Sequence, residues 1–157
     1  MPERKTLERA RRDKEQGKSA STQAGEFVRE EIEHVREGKH GARSTKQAIA
    51  IGLSKARRAG VNLKAPRRGT TSAATRRQAA RDTQRGRRGA RQPSSTRSRA
   101  TLRALTREGR SAGSREALSR QARGAAARRP KAARSQAARR AAATKARRGT
   151  GGRRRTR

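Results

Sequence analysis

Apolar residues recur at intervals of three and four in a segment between Ser21 and Gly38. They are Ala24, Val28, Ile32 and Val35. At 100° per residue these positions form one face of a helix. The helix is predicted to begin at Ser21–Thr22, which are good N-caps, and to end at Gly38, a suitable residue just past a helix end.

A second segment has the clearest start signal in the chain. Ser44 and Gln47 match the S-x-x-Q capping box, in which the two side chains satisfy free backbone N–H groups, and Gly60 marks the end. One face carries Ile49 and Leu53. Small residues recur every four positions at Ala48, Gly52 and Ala56. A neighbouring helix can approach closely along such residues, so the two segments are predicted to form a helical hairpin.

A further helix is predicted from about Pro2 to Gln16, with Leu7 as its only large apolar residue. Such a charged helix is marginal alone and needs a partner. The fold class is therefore mainly α, beginning with a small module of three helices around a helical-hairpin core.

Composition changes sharply at Ala65–Pro66. Residues 1–65 contain 16 Lys/Arg and nine Asp/Glu, whereas residues 66–157 contain 30 and three, and every Ile, Val and Phe precedes Pro66. We therefore predict two domains: 1–65, a small α-helical module, and 66–157, a low-complexity Arg/Ala-rich tail. Closely spaced arginines repel one another and the tail lacks an apolar face, so it is predicted to be disordered or transiently helical.

The formal net charge of +34 makes a polyanion the expected partner. Arginine binds phosphate in a bidentate manner, and charge of this density is typical of nucleic-acid binding. Because Phe27 is the only aromatic residue, base stacking and sequence readout are not expected. The cations predicted to contact nucleic acid are Arg67, Arg68, Arg76, Arg77, Arg87, Arg88, Arg128, Arg129, Lys131, Arg139, Arg140, Lys145, Arg147, Arg148, Arg153, Arg154 and Arg155.

A second anion site is suggested by the stretch KHGARSTK. Lys39, Arg43, Ser44 and Lys46 surround the predicted start of the third helix, where free N–H groups and the helix dipole favour a phosphate. The alternative is an ordinary capped loop with solvated cations, since capping alone explains Ser44.

Other chemistry has little support in the sequence. Glu31 and His34 form a single Glu-x-x-His unit, and His40 is the only other histidine, so both histidines are expected to be solvated or capping and no metal is predicted. No nucleophile–base constellation is present, and cysteine is absent. We therefore expect neither an enzyme nor a cofactor, and pocket-forming apolar groups are too scarce to predict a small-molecule substrate.

The chain also lacks the features of membrane and secreted proteins. No apolar run approaches the ~18 residues that a membrane span requires. The N-terminus lacks the apolar segment of a secretory signal. No membrane span is expected, and the expected location is cytoplasmic, at the nucleoid.

Residues 46–56 read K-Q-A-I-A-I-G-L-S-K-A. This segment resembles a short bacterial domain of unknown function with a K-Q-A-I-A-I-[GA]-L-S-x-A core, and the resemblance covers about a quarter of the chain, from Gly25 to Val61. It implies a bacterial protein and transfers no catalytic residue. The tail resembles, in composition, the basic tails of linker histones and bacterial histone-like proteins, with Arg where those usually carry Lys.

These observations favour a non-enzymatic, nucleoid-associated protein that binds DNA without sequence preference. DNA is favoured over RNA. Two alternatives remain: an RNA-binding or ribosome-associated protein, and a protein-interaction adaptor whose tail only localises it. Ile51 points away from the predicted core, so it is covered either within the chain, by Leu7 or Leu63, or by a second copy in a homo-oligomer formed through the helical module.

Overall fold

The computed structural model describes residues 1–89 and 94–152. Within these ranges the chain contains seven α-helices and one 3-10 helix, and no strand: α1 (Arg4–Glu15), α2 (Ala20–Glu37), α3 (Thr45–Arg58), α4 (Ala73–Arg87), α5 (Ser95–Thr106), the 3-10 helix (Ser111–Gly113), α6 (Arg115–Ala127) and α7 (Lys131–Gly152). The mainly helical class is confirmed. The predicted count of three helices is wrong, because four more follow residue 65.

The chain divides into two units, Met1–Leu118 and Ser119–Arg157. The first unit extends far beyond Ala65–Pro66, where the composition changes. That position remains a prediction for the end of the domain, and its test is given below. None of the described helices is long and apolar enough to cross a membrane.

The predicted hairpin of α2 and α3 is present. The small residues of α3 are buried against α2: Ala48 and Ala56 are fully inaccessible, and a Cβ on Gly52 would lie 2.7 Å from the Val28 Cα. Backbone approach at this point requires glycine, because any side chain would occupy the space of the facing helix. The small-residue face therefore sets the separation of the two helices.

The helix ends follow the capping rules, with two differences. The Ser44 Oγ accepts a hydrogen bond from the Gln47 N–H at 3.2 Å, which is one half of the predicted capping box. The Gln47 Oε1, however, accepts from the Arg43 N–H at 2.8 Å rather than from the Ser44 N–H. The α2 helix begins earlier than predicted, because Ser19 rather than Ser21 is its N-cap and accepts from the Thr22 N–H. Gly38 follows α2 with a φ of 77°, the left-handed conformation expected of a glycine cap.

Two apolar clusters hold the first unit together. One surrounds Phe27, which is 1% exposed, and includes Ala56 and Val61. The other contains Ile32, Val35 and Ala112 among its members. Ala112 lies in the 3-10 helix, so the second cluster needs a residue from beyond the compositional boundary.

The 3-10 helix is fastened to the hairpin by long-range hydrogen bonds. The Thr45 hydroxyl donates to the Ala112 carbonyl oxygen at 2.7 Å, and the Arg36 Nε donates to the Gly113 carbonyl oxygen at 2.7 Å. These bonds provide acceptors for the Thr45 hydroxyl at the start of α3 and for the Arg36 guanidinium near the end of α2. The segment after α5 is therefore fixed to the loop end of the hairpin, where α2 connects to α3.

The prediction of a disordered or transiently helical tail does not match the structure. Ser72 caps α4 by accepting from the Thr75 N–H, and two side chains of α4, Ala79 and Asp82, are buried at 5% and 2% exposure. Arginine density alone favours disorder, but α4 also has sparse inward positions that can pack on a preformed helix.

The α7 helix differs from α4. Every described side chain on α7 is exposed, and its apolar residues are alanines distributed around the helix. Its helical conformation is consistent with the high helix propensity of Ala and Arg.

Candidate nucleic-acid interface

The α4 helix has an inner face that packs on α3. Ala79, Asp82 and Gly86 lie on this face, three and four residues apart. A Cβ on Gly86 would collide with the Arg57 carbonyl oxygen, so the two backbones are in contact there. The helix is thus held at a defined distance and rotation against the hairpin.

Asp82 is the polar anchor of this contact. Its carboxylate accepts hydrogen bonds from the Ser54 hydroxyl at 2.5 Å and from the Gln78 amide at 3.2 Å, and the Arg58 Nε lies 3.9 Å away. Asp82 is the only acidic residue of α4. Because its charge is buried in the contact with α3, the charged side chains on the exposed surface of α4 are all cationic.

The opposite side of α4, together with its C-cap residue, carries a row of four arginines: Arg77, Arg81, Arg85 and the C-cap Arg88. At 100° per residue they fall within a sector of about 80° that is centred opposite Ala79 and Gly86. All four are exposed, and within the described residues none of them forms a salt bridge. With a rise of 1.5 Å per residue, this arginine stripe is ~16 Å long.

The structure places the other predicted contact residues as follows. Arg67, Arg68 and Arg87 are exposed in or before α4, and Arg76 is half-buried. Exposed positions in the second unit are occupied by Arg128, Arg129, Lys131, Arg139, Arg140 and Lys145. Arg147 and Arg148 belong to α7, whereas Arg153, Arg154 and Arg155 lie outside the described residues.

The structure therefore distinguishes between the arginines that were predicted to contact nucleic acid. Arg77 and Arg88 belong to the stripe, while Arg76 and Arg87 lie on the flanks of α4. Arg81 and Arg85 were not among the predicted contact residues. The spacing of residues 77, 81 and 85 indicates that they share one face of a helix. Only the packing of α4 on α3 shows that this face is exposed to solvent.

Lys39 of the candidate phosphate loop is engaged by carboxylates. Its Nζ lies 3.0 Å from Glu37 and 3.2 Å from Glu3. The pKa of Lys39 is raised above its ordinary value, first because Glu37 accepts a hydrogen bond from the ammonium and second because Glu3 does so. A phosphate would have to compete with both carboxylates for this cation.

The amides of the same loop are also occupied. The Gly41 N–H donates to the Leu105 carbonyl oxygen at 2.9 Å, and the Ala42 N–H donates to the Gly109 carbonyl oxygen at 3.0 Å. Arg43, Ser44 and Lys46 are exposed, with the Ser44 hydroxyl capping α3. This arrangement favours the alternative, a capped interhelix loop, over a phosphate cradle.

Arg57 is a cation that the fold withdraws from the surface. It is 7% exposed, and its guanidinium faces the carbonyl oxygens of Leu63 and Lys64 at 3.4 Å. Burial lowers the pKa of Arg57, and the nearby Asp82 carboxylate opposes that shift. Arg57 therefore fixes the chain after α3 rather than contributing to the interface.

Residues 11–69 match the model of a family of unknown function (DUF6496). The match begins within α1, contains α2 and α3, and ends before α4. No curated protein and no solved structure matches the chain. The expected short domain of unknown function is thus confirmed, and the arginine stripe lies outside the matched residues.

Proposed function

We propose that this protein binds nucleic acid without sequence preference, DNA ahead of RNA, and acts as a non-enzymatic nucleoid-associated protein. The arginine stripe of α4 supplies an ordered set of phosphate contacts. The cations of the second unit add further, non-specific contacts.

The proposal rests on the two faces of α4. Its only carboxylate is buried against α3, and the arginines of the opposite face form no salt bridge within the described residues. Asp82 is 2% exposed, so it does not neutralise the stripe, and the four guanidiniums are free to bind phosphate. Phosphate contacts of this kind release counterions and dominate sequence-independent affinity. Because α4 is docked on α3, the stripe is held in place before binding, which lowers the entropy lost on association.

The decisive measurement is the salt dependence of binding to a short DNA duplex. The variant R77Q/R81Q/R85Q/R88Q removes the stripe without touching the inner face of α4. A variant of equal charge change in α1, R4Q/R11Q/R12Q/K14Q, is the control, since Arg4 and Arg11 already pair with Glu8 and Glu15. We expect the stripe variant to reduce the slope of log K against log salt by about 3.6, the value for four lost phosphate contacts.

The control variant should change the slope by much less. Equal reductions in the two variants would show that binding depends only on net charge and would contradict the role of the stripe. A wild-type affinity that does not change with salt would reject phosphate binding altogether. Crosslinking in cells, followed by sequencing of the bound nucleic acid, separates DNA from RNA as the partner.

A further inference from the structure

Three potential metal ligands from α2 and the following loop lie together in the first unit. Glu31, His34 and His40 each offer one donor atom, and these atoms lie within 4.8 Å of one another. Glu31 and His34 are one helical turn apart on α2. The sequence pairs only these two, and the turn at Gly38 brings His40 back to them.

His40 is buried, contrary to the expectation of a solvated or capping side chain, and both ring nitrogens face acceptors. Its Nδ1 lies 3.0 Å from the Gly41 carbonyl oxygen, which only accepts, so Nδ1 is the protonated nitrogen. Its Nε2 lies 2.9 Å from the Glu31 Oε1. The Nε2 lone pair and the Glu31 carboxylate therefore face each other, so both atoms are placed to bind one metal ion.

The two oxygens of Glu31 have different surroundings. Glu31 is 1% exposed, and its Oε2 makes no hydrogen bond, although the Lys55 Nζ approaches it to 2.6 Å as an ion pair. Lys55 is also 3.4 Å from Glu30. Lys55 therefore neutralises the Oε2 side, which leaves Oε1 directed at the His40 ring.

His34 completes the arrangement from the solvent side. Its side chain is 13% exposed, and its Nε2 lies 2.8 Å from the Glu3 Oε1. Histidine ligands in metal sites commonly bond a carboxylate or a backbone carbonyl through the ring nitrogen that does not bind the metal. Both partners are present here, with Glu3 for His34 and the Gly41 carbonyl for His40.

We propose that Glu31, His34 and His40 bind one divalent transition-metal ion, of which Zn²⁺ is the best fit. Two imidazoles and one carboxylate suit Zn²⁺ and its first-row neighbours, whereas Mg²⁺ and Ca²⁺ require more oxygen ligands. Zinc bonds of about 2.0–2.1 Å in tetrahedral geometry place ligand atoms ~3.3 Å apart. Small side-chain rotations that separate the His40 Nε2 from the Glu31 Oε1, now 2.9 Å apart, and bring in the His34 ring therefore form the site. The ion joins α2 to the α2–α3 loop and occupies the position between His40 and Glu31.

The chain offers an unusually clean test, because His34 and His40 are its only histidines and it has no cysteine. The untagged full-length protein is titrated with ZnCl₂ while the ring nitrogens of both histidines are followed by NMR. We expect one equivalent of Zn²⁺ to shift the signals of both rings and to raise the melting temperature. Shifts in neither ring, or in one ring only, would overturn the proposal.

Two variants separate coordination from simple packing. His34→Gln changes the more exposed ligand and should weaken Zn²⁺ binding at least tenfold while the helical CD signal is retained. Lys39→Gln removes a nearby cation without removing a ligand and should leave Zn²⁺ affinity within a factor of about three. Unchanged affinity in His34→Gln, or an equal loss in both variants, would reject the site. The result is independent of nucleic-acid binding, which is measured separately.

Discussion

Gly52 shows how a single missing methyl group determines the contact between two helices. A Cβ at this position would lie 2.7 Å from the Val28 Cα and 2.9 Å from its nitrogen. These are backbone atoms of α2, so they cannot rotate away as a side chain would. Gly25, on α2 itself, has no atom within 4 Å of the equivalent position.

The two glycines should therefore respond in opposite directions to the same substitution. We expect Gly52→Ala to destabilise the protein by about 1–3 kcal/mol through overpacking, despite the better helix propensity of alanine. Gly25→Ala should stabilise it by roughly 0.5–1 kcal/mol, since only the backbone entropy changes. Urea unfolding followed by far-UV circular dichroism measures both values, and a stabilising Gly52→Ala would contradict the close approach.

One buried carboxylate, that of Asp82, is the polar anchor of α4 on α3. Removal of Asp82 leaves the Ser54 hydroxyl without its acceptor and leaves Arg58 without a nearby charge. The α4 residues have few large apolar groups to compensate, because Ala79 is the buried apolar side chain of that helix.

We expect Asp82→Ala to weaken the docking of α4 by about 1–3 kcal/mol, the usual cost of a broken buried hydrogen bond. Amide hydrogen exchange should then show loss of protection in α4 while α2 and α3 keep theirs. Gln84→Ala, at an exposed position on the same helix, is the control and should leave the pattern unchanged. If α4 stayed protected in Asp82→Ala, the apolar contacts alone would be sufficient.

The first unit as a whole includes residues from both sides of the compositional boundary. Ala112 contributes to the cluster around Ile32 and Val35, and the Arg36–Gly113 hydrogen bond spans 77 residues of sequence. A fragment that stops at Ala65 would lose these contacts as well as α4.

Two fragments test where the folded unit ends. We expect residues 1–118 to unfold cooperatively with a clear thermal transition, and residues 1–65 to melt at a markedly lower temperature or without a cooperative transition. Differential scanning calorimetry of both fragments gives the comparison. Equal stability of the two fragments would support the boundary at Ala65–Pro66 as the limit of folding.

Local signals in the sequence were sufficient for the hairpin and its caps. Ser44 and Gln47 cap α3, Gly38 ends α2, and the small residues of α3 meet α2 as their spacing predicts. These features depend on residues within one or two helical turns of each other, so the local sequence is sufficient to predict them. The excess of cations after residue 65 is likewise a property of composition and needs no fold to be seen.

Contacts between distant residues could not be read in the same way. Nothing in the spacing of Asp82 indicates Ser54 as its partner, and nothing near Glu31 and His34 indicates that His40 returns to them. Such contacts arise when packed helices bring separate segments together, and many pairings are compatible with one local pattern. The sequence alone therefore determined the helical hairpin and the cationic character of this protein, whereas tertiary packing decided which arginines face solvent and which titratable groups are buried together.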